Sequence, residues 1–374
     1  MTVQQTPLSQ PAASTRSKTD ATITPVQTAR FTAAVSMALV SIYCAFLPMM
    51  KFRGLGYRGD EAWTLWHAMN SPRRVLELLT LDIKPPMYFF VLGGWVQLFG
   101  HHETITRYLS ALFLILALAF CYQIGRVLFN RAAGVWTALL VGLLPVAQHY
   151  VHEMNTYTSL MLGVTATSAF LLLWLRTGKG HYAVAYVAAG IFVAYSHYYG
   201  VITIIAQAGW ALLFVRWRNW TLVRAFSLFA AVGLAFALGW GGVVLYTVSG
   251  GNVGGGGQFI VGTPFEVLST LYIEFQSRPT GLLVMAFLFG LITVGSTAPA
   301  ESAERLRWSN AWRRGFPLAM IVLVVGLGLA LNAVSPTLNA RNLIVLAPFL
   351  CVIAAYGMVN LPRRLQAVTA VLLI

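Results

Sequence analysis

The sequence has few acids, few charges of either sign and few cysteines. Only 11 of its 374 residues are Asp or Glu and 10% are charged, whereas 58% are hydrophobic and the mean hydropathy is +0.71. All three cysteines lie in apolar stretches, which excludes a disulfide framework or a thiolate metal site as the organising feature. Apolar runs of about 18 or more residues instead predict a multi-pass all-α membrane protein.

A nucleotide-binding signature is also missing. The glycine-rich stretch SGGNVGGGG, residues 249–257, is not followed by the GK[ST] ending of a phosphate-binding loop. It is therefore interpreted as a flexible loop. The net charge of +14 does not indicate a nucleic-acid partner, because the basic residues are concentrated in alternate short loops between apolar stretches. That pattern is typical of cytoplasmic loops in membrane proteins.

The apolar stretches predict about ten to eleven transmembrane helices in a single domain, residues 30–374, after a disordered cytoplasmic tail at 1–29. The first stretch is interpreted as a retained signal anchor. We therefore expect a protein of the cell (inner) membrane with its N-terminus in the cytoplasm. An eleventh span begins near Ala367, so we expect the chain to be truncated at its C-terminus. The predicted spans are 31–50, 108–125, 132–148, 158–175, 182–196, 200–215, 225–246, 280–296, 316–334 and 343–360.

Three further segments are predicted to lie at the outer face. The apolar run 86–100 is short for a membrane crossing, so we expect it to dip in or lie at the surface and to leave Arg107 outside. Ser71 is a candidate N-cap with Pro72 at the first helical position. Residues 263–275 repeat this capping pattern, and both segments are expected to form interfacial helices.

Two adjacent acids follow the first predicted span in the stretch YRGDEAWTLW, residues 57–66. In one interpretation Asp60 is the N-cap of a helix and Glu61 favours the helix dipole. In the other, Asp60 is a general base that accepts a proton from an attacking hydroxyl, with Glu61 as a second catalytic candidate. The two interpretations are compatible.

Three basic residues on the predicted outer face are candidate phosphate ligands. Lys84 comes just before two prolines that start a helix, and a helix N-terminus with an ammonium group suits an anion. Arg107 and Arg341 need an anionic partner, since the positive-inside bias disfavours them there. Lipid headgroups and a bound lipid phosphate are both open as that partner, and Lys84 has the alternative of snorkelling at the interface.

Histidine, glutamate and tyrosine side chains cluster in two other outer loops. His149, His152 and Glu153 have the i, i+3, i+4 spacing of metal ligands on one helix face, although satisfied polar side chains and sugar contacts are alternatives. A divalent metal therefore stays open and no cofactor is identified. The candidate sugar-binding side chains are His152, Glu153, Tyr157, His197 and Tyr198.

A reaction at such a face, without a nucleotide motif, needs a substrate that carries its own activation and reaches the site through the bilayer. A polyprenyl-phosphate sugar has both properties, because its phosphate is the leaving group and its lipid is the anchor. The alternative is a lipid-linked sugar flippase or another membrane carrier. A carrier should place ionisable residues near the middle of its spans, whereas here nearly all charges are at span ends.

Six motifs in order resemble the GT-C integral membrane glycosyltransferases, in the branch of protein mannosyltransferases and lipid A aminoarabinose transferases. They are GDEA, KPPMYF, TRYLSALF, the stretch from Pro145 to Tyr157, SHYYG and RNLIVLAPF. The resemblance implies a GT-C-like fold and inverting transfer from a polyprenyl-phosphate sugar to a protein, lipid or glycan acceptor. It implies that Asp60 serves the acceptor and Lys84 the lipid phosphate, with Glu153 the nearest match to the acidic residue of the second outer loop.

Overall fold

The computed structural model describes residues 56–82, 84–214, 220–249, 310–332, 338–339, 341–362 and 364–366, with isolated positions at 35, 38, 39, 41, 42 and 290. The tail, the glycine-rich loop, the predicted interfacial helix 263–275 and the chain end fall outside these residues. So do the predicted spans 31–50 and 280–296, apart from the isolated positions.

The described chain is α-helical, and its helices follow one another through short connections from Gly59 to Phe214. Their bounds are α1 Gly59–Ala68, α2 Pro72–Asp82, α3 Met87–Phe99, α4 Glu103–Leu128, α5 Arg131–Leu143, α6 Pro145–Tyr150, α7 Tyr157–Thr177, α8 Gly180–Ser196, α9 Tyr198–Phe214, α10 Trp220–Val248, α11 Asn310–Asn332 and, after the 3₁₀ helix Asn342–Leu346, α12 Ala347–Asn360.

Five helical segments in the described residues are long and apolar enough to cross a membrane. Helices α3 and α5 and the segment Tyr198–Leu213 of α9 are apolar but shorter. Because these lengths and compositions suit a bilayer, the structure is that of a membrane protein, and the number of crossings stays a prediction. The five segments are Glu103–Leu128, Tyr157–Thr177, Thr221–Tyr246, Gly315–Asn332 and Asn342–Asn360.

Proline explains where two predicted spans differ from the structure. The stretch 132–148 is not one helix: α5 ends at Leu143, Leu144 is extended, and Pro145 starts α6. The stretch 343–360 begins as a 3₁₀ turn before α12, in which Pro348 occupies the first turn. Proline has no amide hydrogen and clashes with the preceding turn, so it favours the start of a helix over its interior.

Helices α2 and α3 and the first turn of α4 form a helical hairpin. Helix α2 begins at Pro72, as the sequence predicts. Helix α3 follows Pro86, and its 13 residues extend only about 20 Å, less than a hydrocarbon core of about 30 Å. At its end Gly100 adopts φ 89°, a left-handed conformation that glycine favours, and the chain turns towards α4. The return of this hairpin to the outer face stays a prediction.

The core is a bundle in which α4 packs against α5 and α7, α7 against α8, and α12 against α5. A buried polar network joins three of its helices. The hydroxyl of Tyr186 on α8 donates to Gln207 on α9 at 2.7 Å, and the Gln207 amide lies 3.2 Å from both Thr167 and Ser168 on α7. Because all of these side chains are buried and paired, the network stabilises one arrangement of the three helices.

Close packing of α7 on α8 depends on the absence of a side chain at Gly163. A Cβ there would overlap the side chain of Val193, whereas one at Gly233 on α10 would meet nothing within 4 Å. We expect Gly163→Val to lower the free energy of unfolding by about 1–3 kcal/mol through overpacking. Gly233→Val carries the same change of residue and is the control. Thermal unfolding in detergent measures both, and equal melting temperatures would contradict this packing.

Candidate functional site

Six side chains from five segments form a closed chain of neighbours at one end of the helices, which we call the site ring. Successive members are related by an ion pair, electrostatic influence, a ring contact, electrostatic influence, a cation–π contact and a helical turn that leads back to the first member. In that order the members are Asp60, Arg341, Tyr157, His197, Lys84 and Trp63. All of them except Trp63 are residues that the sequence predicts as catalytic or substrate-binding.

Asp60 is the exposed acid of the pair. Its side chain is 79% exposed, and its Oδ2 lies 3.8 Å from Nη1 of Arg341. The interpretation of Asp60 as an N-cap is wrong, because Arg58 is the N-cap and Asp60 lies inside the first turn. Glu61 performs the capping instead: its Oε2 accepts the amide hydrogen of Arg58 at 3.0 Å. The Asp60 carboxylate is therefore not needed to satisfy the helix end.

Glu61 is the buried acid of the pair. Its carboxylate accepts two hydrogen bonds from Arg107, at 3.0 and 2.6 Å, and one each from the amides of Arg58 and Met154. Burial raises the pKa of Glu61, but these hydrogen bonds lower it on balance, so the carboxylate is ionised at neutral pH. Since its two oxygens accept four hydrogen bonds, the Glu61 carboxylate joins the segments that carry Arg58, Arg107 and Met154.

Arg107 has a partner that the sequence did not suggest. The sequence left lipid headgroups and lipid phosphate open, but in the structure the guanidinium is only 3% exposed and pairs with Glu61, 46 residues earlier. It also donates to the carbonyl of Gly56 at 3.1 Å. Because a buried charge needs a counter-charge, the few acids of the sequence are the partners to consider for an arginine that is expected to be buried.

Lys84 lies on the opposite side of the site ring from Arg341. Its Nζ is 3.2 Å from Oδ2 of Asp82 and 3.9 Å from the centre of the Trp63 ring. Sequence reasoning missed both of these neighbours. Burial, followed by the charge of Lys84, lowers the pKa of His197 to about 4. His197 is therefore neutral at neutral pH, and its Nδ1 accepts the amide hydrogen of Tyr199 at 3.2 Å.

The turn 151–156 carries His152 and Glu153. The prediction that these residues share a helix face with His149 is wrong, because α6 ends at Tyr150. His149 and Glu153 still meet, with Nε2 and Oε1 3.2 Å apart, but Nη1 of Arg58 lies 2.8 Å from the same oxygen. Among the residues that the structure describes, no three His, Cys, Asp or Glu side chains form a group that could hold a metal ion.

Two tyrosines predicted as sugar ligands have different surroundings. Tyr157, at the start of α7, lies within electrostatic reach of Arg341, and its ring lies 6.1 Å from that of His197. Tyr198 instead accepts a hydrogen bond from Nε1 of Trp240 at 3.1 Å and packs among apolar rings. Tyr157 is therefore in the site ring, whereas Tyr198 packs behind it.

A family model described as dolichyl-phosphate-mannose-protein mannosyltransferase matches residues 83–240, less than half of the chain. This match includes Lys84, Glu153, Tyr157 and His197 but not Asp60 or Arg341. No curated protein matches the sequence significantly.

Three solved structures have similar folds. ArnT from Cupriavidus metallidurans in the apo state aligns with a TM-score of 0.66 at 17% identity, over 92% of this chain and 62% of that one. The same enzyme bound to undecaprenyl phosphate gives 0.62 at 17% identity, over 90% and 62%. The oligosaccharyltransferase of Archaeoglobus fulgidus, tethered to an acceptor peptide, gives 0.54 at 11% identity, over 92% and 53%.

These comparisons confirm the GT-C-like all-α fold and the resemblance to the mannosyltransferase and ArnT branch. The chain spans about three fifths of the length of the ArnT structure that it matches. At such low identities the structural likeness concerns the fold. The chemistry of the site therefore has to be argued from its own side chains.

Removal of the Glu61 charge tests the buried pair. We expect Glu61→Gln to destabilise the protein by about 3–5 kcal/mol, because it leaves the Arg107 guanidinium buried without its anion. Glu77→Gln is the matched control, since Glu77 pairs with Arg73 and Arg74 at an exposed surface. Its cost should be below about 1 kcal/mol. Urea unfolding of both variants measures the difference, and similar midpoints would mean that the Glu61 pair contributes no more than a surface pair.

Proposed function

We propose that the protein is a membrane glycosyltransferase that transfers a sugar from a polyprenyl-phosphate donor to an acceptor hydroxyl on the outer face of the membrane. The single observation that carries this proposal is the arrangement of Asp60 in the site ring. It is an exposed carboxylate 3.8 Å from Arg341, on the same helix as Trp63, whose ring contacts Lys84. A base in the neighbourhood of two cations suits a reaction in which a proton is taken up and a phosphate departs.

The reaction is a single displacement with inversion. The oxygen of the acceptor hydroxyl forms a bond to the anomeric carbon and gives its proton to the Asp60 carboxylate. The bond between that carbon and the phosphate oxygen breaks, and its electron pair leaves with the polyprenyl phosphate. A phosphate is a stable anion, so its departure requires stabilisation of negative charge and no general acid.

The two cations of the site ring stabilise that charge. Arg341 presents a guanidinium 3.8 Å from the Asp60 carboxylate, and Lys84 presents an ammonium group about half exposed to solvent. His197 is neutral beside Lys84 and adds no third charge, so it is suited to a sugar hydroxyl. Glu153 already binds Arg58 and His149, and we assign it to the support of the turn 151–156.

The similarity to ArnT supports a lipid-linked donor, because that protein has been solved with undecaprenyl phosphate. The identity of the sugar is left open by this chemistry, as is the choice among protein, lipid and glycan acceptors. We propose an orientation in the cell membrane with a cytoplasmic N-terminus, as the loop charges predict. No step of this mechanism requires a nucleotide, and none assigns a role to a divalent metal.

Asp60→Asn separates catalysis from binding. Asn has nearly the size of Asp, and the helix is capped by Glu61, so the variant should fold normally and bind donor lipid. Transfer should fall by about 10²–10⁴-fold, the usual contribution of a positioned base. The measurement is radiolabelled sugar transfer from membrane lipid extracts to envelope acceptors, with Glu77→Gln as the control. Near-normal transfer by Asp60→Asn would contradict its role as the base.

Lys84→Ala and Arg341→Ala test the phosphate site. Each should weaken the binding of undecaprenyl phosphate about 10- to 100-fold, because a hydrogen bond to a charged group is worth about 1.5–3 kcal/mol. Lys179→Ala is the control, since Lys179 is an exposed lysine at the start of α8, away from the site ring. Unchanged affinity in both site variants would remove the phosphate site. Binding by the native protein without transfer to any acceptor would instead favour the carrier.

A further inference from the structure

Trp63 is the member of the site ring that connects Asp60 with Lys84. It is on α1, three residues after Asp60, so the two side chains lie on the same side of the helix with Cβ atoms about 5–6 Å apart. Its ring centre is 3.9 Å from the ammonium of Lys84. Lys84 belongs to a different segment, the connection between α2 and α3. One indole therefore connects the helix that carries the acid with the loop that carries the lysine.

The indole is itself held by its neighbours. The ring of Phe89 on α3 meets it edge-on at 6.0 Å, and the ring of His67 lies 3.5 Å away, one turn further along α1. Nδ1 of His67 is 2.8 Å from the Trp63 carbonyl. Burial lowers the pKa of His67, so at neutral pH its imidazole is uncharged and leaves Lys84 as the cation against the indole. Trp63 is thus a packed surface of fixed orientation.

Among the described residues, the attractive contact between Lys84 and α1 is the one with the Trp63 indole. The carboxylate partner of Lys84, Asp82 at 3.2 Å, is the last residue of α2 and fixes the ammonium only relative to that helix. A lysine side chain is a flexible stem of four carbons, so an ammonium group with a single contact samples many positions. Attraction to the face of an indole ring gives the ammonium group a second contact and removes little of its hydration.

We propose that Trp63 is a positioning residue, which holds the ammonium of Lys84 against α1 and so fixes the distance between the phosphate-binding cation and the Asp60 carboxylate. The effect on lipid phosphate rests on the proposed function, whereas the effect on Lys84 does not. Trp63 contacts no reacting atom in this mechanism. Its substitution should alter binding only through Lys84.

The first test observes Lys84 directly and needs no ligand. The chain has four lysines, and reductive methylation with ¹³C-formaldehyde gives each a separate methyl NMR signal, of which Lys84→Arg identifies one. A group held over an indole is shifted upfield by the ring current. We expect this shift to disappear in Trp63→Leu and to be smaller in Trp63→Phe. Trp66→Leu is the matched control on the same helix, because Trp66 is exposed and its described ring contact is with His67.

The second test is a double-mutant cycle on the binding of undecaprenyl phosphate in nanodiscs. Trp63→Leu should weaken binding about three- to tenfold in the native background and leave it unchanged in the Lys84→Gln background. Trp66→Leu should have no effect in either background. A Lys84 methyl signal that does not move in Trp63→Leu would overturn the proposal, as would an equal loss of affinity in both backgrounds.

The two tests separate this proposal from the proposed function. If the native protein does not bind undecaprenyl phosphate, the lipid-phosphate donor is wrong, and the NMR signal still decides whether Trp63 holds Lys84. If the native protein binds the lipid and transfers sugar but Trp63→Leu leaves the Lys84 signal in place, the glycosyltransferase proposal stands and the role of Trp63 is wrong.

Discussion

The site depends on one buried ion pair, between Glu61 and Arg107. The Glu61 carboxylate joins three segments that are far apart in sequence, since it binds the amide at the start of α1, the guanidinium on α4 and the amide of Met154 in the turn 151–156. Two buried charges are costly to desolvate, and such a pair persists only when every donor and acceptor is satisfied. Here the oxygens accept four hydrogen bonds, so the three segments are held in one arrangement.

This pair also explains why two adjacent acids have opposite environments. Consecutive residues on a helix are about 100° apart around its axis, so α1 directs Glu61 into the protein and Asp60 towards solvent. The burial of one carboxylate fixes the backbone from which the other projects. An exposed side chain on a fixed backbone can meet a substrate at a defined place without losing freedom to accept a proton. The dipeptide thus sets a buried, paired carboxylate next to an exposed one.

Sequence reasoning reached the parts of this protein that local pattern determines. Hydropathy located the helices α4, α7 and α10 to within a few residues, and motif order selected Asp60, Lys84 and Arg341, which the structure brings into one ring. It failed where the deciding partner is distant in sequence, as for Arg107 and Glu61. It also failed where one proline interrupts an apolar run, at Pro145, because hydropathy averages over the residue that breaks the helix.

The buried network around Gln207 also determines where α9 lies along its own axis. His197 and Gln207 are ten residues apart along α9 and its cap, which corresponds to about 15 Å along a helix axis. Sliding α9 by one residue would break the bonds of Gln207 to Tyr186, Thr167 and Ser168 together. The network therefore fixes the position of α9 along its own axis, and with it the position of His197 just before that helix.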